Sequence, residues 1–343
     1  MKAARLHGIR DIRLDELPDP EPAPGEALVR VRAVGVCGSD VHFYKDGKIG
    51  DAEVQFPFIL GHEFAGEIAA LGSGVEGPPV GTRVAVDPAV PCGRCEVCLD
   101  GNPNCCPNTR FPASPPVQGA LSEFYVHPAH LCVPLPDGLD FVDGAMLEPL
   151  GIGIHVMTLS KLKPGDSVAV LGAGPIGQVI LQLVLASGVR AAYVSEPVPE
   201  RRDLAKAMGA TAVCDPQTDS PAAWLLEQTR GRGVDVAIEA AWGGEAVDHA
   251  VEMARPGGKV VIVGIPFEDV TTFRNSPARS KGLSILMSRR MKSVHERGIA
   301  LVERGVVDLP ALVTHRFPLE QAGEAFELMA SLQDGVCKPM IEM

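Results

Sequence analysis

In the first third of the chain the apolar positions fall in short runs broken by glycine, at residues 27–36, 64–71, 83–86 and 121–126. That spacing predicts short strands joined by turns, and so a β-rich domain. From Asp166 the rhythm changes. Residues 167–171 form a continuous apolar run of strand length, and Gly172 separates them from a helical pattern that lasts to Ser187. Strand-like runs follow at 191–195, 234–239 and 259–263, with helical patterns at 200–208, 222–229 and 245–254 between them. Strands alternating with helices of this length imply a parallel, doubly wound sheet. After about residue 290 the alternation lapses, and amphipathic helices are expected at 293–304 and 319–332. The α/β part therefore reads as inserted into the β-rich part. The Pro/Gly-rich stretches 18–25 and 112–119 read as surface turns.

Composition narrows the partners. With 31 Lys and Arg against 43 Asp and Glu, the net charge is −12. An anionic surface repels a phosphate backbone, so no nucleic acid is expected as partner, and no anionic membrane. The longest apolar run, 176–189, is interrupted by Gln178 and Gln182 and is too short to span a bilayer. The N-terminus has no apolar core of the kind an export signal needs. Nine cysteines, three of them tightly clustered, then suggest metal rather than disulfides and a reducing, cytoplasmic setting.

Gly172-Ala-Gly174-Pro-Ile-Gly177 follows a predicted strand and opens a predicted helix. Gly172 permits the tight turn, Gly174 admits a pyrophosphate to the backbone, and Gly177 lets helix and strand pack closely. The helix N-terminus faces the phosphates with its positive dipole. Glu196 ends the next strand about 20 residues on, where a ribose-binding carboxylate belongs. A carboxylate there repels a 2′-phosphate, which favours NAD over NADP, although Arg201 and Arg202 lie nearby.

Cys92-x-x-Cys95-x-x-Cys98 and Cys106 place four thiols in one loop rich in Pro and Gly, a spacing that can wrap a closed tetrahedral zinc. Spacing alone barely separates Cys105 from Cys106 as the fourth ligand. A second set is dispersed: Cys37-Gly-Ser39-Asp40-Val-His42 and Gly61-His62-Glu63. Three protein ligands and an open position would make a catalytic zinc. Taken singly, however, a Cys37 is more often a small buried hydrophobe and a His62 a satisfied structural residue.

Gly61-His62-Glu63-Phe-Ala-Gly66-Glu67, the four-cysteine loop and Gly172–Gly177 occur in the order found in zinc-dependent medium-chain dehydrogenases, which the whole chain resembles. Cys37-Gly-Ser-Asp-Val-His42, Pro115-Pro-Val-Gln-Gly119, Leu147-Glu148-Pro149-Leu150 and Leu312-Val-Thr-His-Arg-Phe317 resemble the polyol (sorbitol-type) branch. The resemblance implies a GroES-like catalytic domain over 1–150 and 290–343, with a zinc lobe at about 91–107, around a Rossmann NAD-binding domain over 151–289. It also implies two zinc ions per chain. Cys37 and His62 would hold the catalytic zinc, with Glu63 a third ligand, direct or through water. Glu148 would approach from the other side. Cys92, Cys95, Cys98 and Cys106 would hold the structural ion, leaving Cys105 spare. Ile176, Glu196, Arg201 and Val263-Gly264-Ile265 would contact NAD. The family further implies a homotetramer or homodimer.

The expected activity is NAD-dependent oxidation of a secondary alcohol, with proton release through Ser39 and His42 or through water held by Glu148. Threonine or butanediol oxidation, and a non-catalytic NAD- and zinc-binding role, are the alternatives. Two departures bear on the substrate. Phe43 stands where the polyol branch usually has a tyrosine, and Arg290-Met291 where it has Arg-Tyr, which removes two hydroxyls. The basic run Arg289-Arg290-Met291-Lys292 reads either as a solvated turn with one arginine near the NAD phosphates or as a segment in which Arg290 holds a carboxylate or an oxygen-rich group.

Overall fold

Two units divide the chain in the computed structural model, which describes residues 1–75 and 77–343. The first comprises residues 1–151, 292–305 and 309–343, and the second residues 152–291 and 306–308. Among the described residues no helix is long and apolar enough to cross a membrane.

A mostly antiparallel seven-stranded sheet organises the first unit. Its main path runs Cys132–Pro134, Arg83–Val86, Glu63–Leu71, Glu26–Gly35, Lys338–Glu342 and Val313–Pro318, with Phe124–Pro128 also paired to Glu26–Gly35. Glu26–Gly35 alternates buried and less buried positions over its first half, the period-2 pattern of a strand with one covered face. In the second unit six parallel strands lie in the order Ala212–Cys214, Ala191–Ser195, Ser167–Leu171, Val234–Glu239, Ala254–Ile262, Ser284–Met287. All five residues of Ser167–Leu171 and all six of Val234–Glu239 are buried, because helices cover both faces of a parallel sheet. Strand order reverses between these two neighbours.

The end of the chain differs from the expectation of two closing helices. They form as His295–Glu303 and Ala322–Ser331, shorter than expected, and Val313–Pro318 and Lys338–Glu342 are strands of the first unit's sheet. Lys338 hides the second of these strands in the sequence. It breaks the apolar run with a charge that the fold buries and pairs.

Candidate functional site

Strand register assembles the first cluster. Gly35 pairs with Glu63 on one side and with Met340 on the other, so residues just past Gly35 lie beside His62, Glu63 and Lys338. Cys37 follows at the N-cap of the helix Gly38–Asp46. Potential ligand atoms of Cys37, His62 and Glu63 lie within 4.8 Å of one another. His62 Nδ1 is 3.2 Å from Asp40 Oδ1, and because a carboxylate can only accept, that nitrogen carries the proton and Nε2 is left for a metal. Burial opposes a charged His62, but Asp40 and the Cys37 sulfur outweigh it and hold the ring's pKa well above the usual histidine value.

Lys338 Nζ donates to Glu63 Oε2 at 2.6 Å and to the Val36 carbonyl at 3.0 Å. Both partners of this ion pair are buried, and a Cβ on Gly35 would strike the Glu63 carboxylate, so its place is tightly defined. Breaking such a pair leaves an uncompensated buried charge, at about 3–5 kcal/mol. Glu148, on the helix Phe141–Ser160, is 4% exposed. Burial pushes its carboxyl up to about 7, with the charge of Glu63 adding to the effect and those of His62 and Lys338 opposing it. Cys37, His62 and Glu63 bring a sulfur, a ring nitrogen and a carboxylate oxygen to one point, and a divalent cation with open coordination suits that donor set.

Ser39 Oγ donates to Cys37 Sγ at 3.3 Å, and His42 and Phe43 are buried on the same helix. Sequence alone assigns Asp40 and Lys338 no role. Asp40 stands three residues after Cys37, within the first turn of the same helix, and Lys338 is a lone charge between buried Cys337 and Pro339. Those were the available signals.

The second cluster is closed. Sulfur–sulfur distances are 3.5 Å for Cys95–Cys98, 3.8 Å for Cys95–Cys106 and 3.5 Å for Cys92–Cys106. Backbone N–H groups of Arg94 and Cys95 lower the Cys92 thiol to about 6, while desolvation and the neighbouring sulfurs push Cys98 up to about 12, as happens when like groups share one site. Cys105 is exposed and lies outside the four-sulfur group. Lys292 Nζ donates to the Gly101 carbonyl and to Asn102 Oδ1, so the last cation of the basic run anchors this lobe. Arg290 is half-buried with φ of 51°, and Met291 is buried.

In the second unit Gly172 adopts φ of 92°, and the helix Pro175–Ala186 starts with Pro at a position that needs no N–H. A Cβ on Gly177 would overlap the Gly172 carbonyl, whereas one on Gly174 would meet only Arg201 Nη1, at 3.5 Å. The close packing and the open approach are thus built into different glycines. Glu196 accepts the N–H of Ala173 at 2.6 Å and of Val198 at 2.9 Å, which fixes its carboxylate against the glycine turn. Arg202 binds the carbonyls of Glu196 and Pro197 and the carboxylate of Asp215, and so is committed to the loop itself. Arg201 is buried, Ile176, Val263 and Gly264 are half-buried, and Ile265 is 38% exposed.

Comparison with known proteins gives the chain a family. The profile for the alcohol dehydrogenase GroES-like domain matches residues 23–137, and that for zinc-binding dehydrogenases matches residues 175–304. Sorbitol dehydrogenase of Bacillus subtilis (strain 168) is 39% identical over 341 residues, covering 99% of this chain and 97% of the relative. A zinc-binding dehydrogenase of Sinorhizobium meliloti 1021 bound to NADP superposes with TM-score 0.91 at 32% identity, over 100% of this chain and 99% of the other. A short chain alcohol dehydrogenase of E. coli CFT073 complexed with NADH gives TM-score 0.91 at 30% identity, with the same coverage.

Proposed function

Because the chain belongs to the zinc-dependent medium-chain dehydrogenases, in their polyol (sorbitol-type) branch, we propose that it oxidises a secondary alcohol of a polyol or sugar-derived substrate to the ketone, passing the hydride to NAD. The convergence of Cys37, His62 and Glu63 carries this reading. Cys37 and His62 hold a catalytic zinc, with Glu63 as third ligand, direct or through water. Bound there, zinc would supply Lewis-acid chemistry that lowers the pKa of the substrate alcohol.

The chain's own residues do the rest. Asp40 fixes the His62 tautomer, and Lys338 holds the Glu63 carboxylate in place. Ser39 and His42 carry the alcohol proton away, and Glu148, poised near neutrality by burial, orients water on the opposite side. Cys92, Cys95, Cys98 and Cys106 hold a second, structural zinc. The turn Gly172–Gly177 takes the pyrophosphate, with Ile176, Glu196, Arg201 and Val263-Gly264-Ile265 against the rest of the dinucleotide. The reduced thiols suit a cytoplasmic protein, and the family's habit is a homotetramer or homodimer.

NAD is expected to exceed NADP in kcat/KM, since Glu196 presents a carboxylate where a 2′-phosphate would lie. Glu196→Ala should narrow the ratio about tenfold by removing that repulsion and a ribose acceptor. Equal use of both cofactors by the unmodified enzyme would refute this.

Loss of two hydroxyls at Phe43 and Met291 disfavours sorbitol itself, and Arg290 favours a substrate that carries a carboxylate. Arg290→Ala should therefore lower kcat/KM on the order of tenfold or more for a sugar acid, and much less for a neutral polyol. Sorbitol as the best substrate, with Arg290→Ala equally harmful to all, would show that Arg290 recognises no charge.

A further inference from the structure

Glu239 ends the strand Val234–Glu239 and is 1% exposed, yet the chemistry above makes no use of it. Its neighbours across the sheet are Leu171, which leads into the glycine turn, and Ile262, which leads into residues 263–265. This is the carboxyl edge of the sheet at the point where strand order reverses. Doubly wound folds hold a dinucleotide there, across their two mononucleotide-binding halves.

The Glu239 side chain is held by backbone. Oε1 accepts the Ala241 N–H at 2.8 Å and Oε2 accepts the Gly264 N–H at 3.2 Å, while the Glu239 carbonyl accepts the Val263 N–H at 2.8 Å. One residue thus ties the loop after its own strand to the loop after the next. The fit is close. A Cβ on Gly264 would overlap both the Ala241 carbonyl and the Glu239 carboxylate, and one on Gly172 would press on the Ala240 carbonyl. Burial also pushes the Glu239 carboxyl up to about 7, against those N–H groups, so keeping it there has a cost.

We propose that Glu239 is a positioning residue for the nicotinamide half of the cofactor: it fixes residues 240–241 against 263–264 and so shapes the surface on which that half lies. The proposal rests on the NAD-dependent reading above. In that reading the glycine turn and Glu196 take the pyrophosphate and the adenosine ribose, and the second mononucleotide half falls to these loops.

Glu239→Gln tests it with little change of volume, because the amide turns one acceptor into a donor facing an N–H. The Kd for NADH, followed by fluorescence, should rise on the order of tenfold, while the Kd for ADP-ribose, which lacks nicotinamide, stays unchanged. Glu239→Asp, which keeps the charge but is too short to reach both loops, should likewise weaken NADH and leave ADP-ribose unchanged, and it carries the test if the glutamine variant does not fold. Equal weakening of both ligands, or of neither, overturns the assignment. Binding of neither ligand by the unmodified protein would instead overturn the NAD reading on which it rests.

Discussion

Cys37→Ser is expected to lower kcat at least about 10³-fold while the melting temperature holds. Metal-ion catalysis supplies several kcal/mol of barrier lowering, and each 1.4 kcal/mol or so is a factor of ten. Serine is a poor zinc ligand at neutral pH because its hydroxyl stays protonated, so the open site loses its one thiolate. The fold should tolerate the change. Cys37 occupies the N-cap of the helix Gly38–Asp46 and makes no side-chain capping bond there, whereas serine is a favoured N-cap. Zinc should fall from two ions to about one per chain. A Cys37→Ser protein that unfolds, or that keeps its turnover, contradicts the assignment.

Cys95→Ser is the matched opposite. Cys95 also stands at an N-cap without a side-chain bond, before the short helix Glu96–Leu99, so local helix chemistry again favours serine. The expected outcome is nonetheless loss of stability. None of the residues of that helix is buried, so the lobe draws little cohesion from an apolar core there and relies on the four sulfurs and contacts such as the Lys292 anchor. Closed zinc sites in small metal-dependent folds bind with about 10–16 kcal/mol, and in such a site that binding energy is folding energy. The lobe should become sensitive to proteolysis around residues 92–106, and the melting temperature should fall by more than about 5 °C. If Cys95→Ser is merely slow and Cys37→Ser unfolds, the two sites have exchanged roles.

The two clusters differ in how readily the sequence discloses them. Local spacing reveals the four-cysteine lobe and the glycine turn, because all their groups lie within a few residues and the turn geometry follows from the glycines. Cys37, His62 and Glu63 are joined by strand register, which composition does not encode, and the family motif was needed to link them. Asp40, Lys338 and Glu239 act through burial and pairing. Lys338 reads as a surface charge until the sheet places it on Glu63, and Glu239 reads as the end of a strand until its carboxylate is found on two loops. The parallel sheet was legible in its central strands, whose apolar runs are continuous. The short strands Ala212–Cys214 and Ser284–Met287 were not, since three or four residues give no period to read. Lys292 shows the converse. The basic run reads as one substrate-facing feature, but its last member is tied to the four-cysteine lobe.

Zinc- and NAD-dependent oxidation of a secondary alcohol on a polyol or sugar-derived substrate is the activity proposed for this chain. Its most direct test is NADH formation by zinc-loaded protein over a panel of polyols, sugars, aldonates, diols and threonine, with Cys37→Ser run alongside. The account predicts NADH from at least one sugar-derived alcohol, little or none from threonine, and no turnover in the variant. A fully zinc-loaded protein that reduces NAD with no member of the panel, or a Cys37→Ser variant as active as the parent, would contradict it.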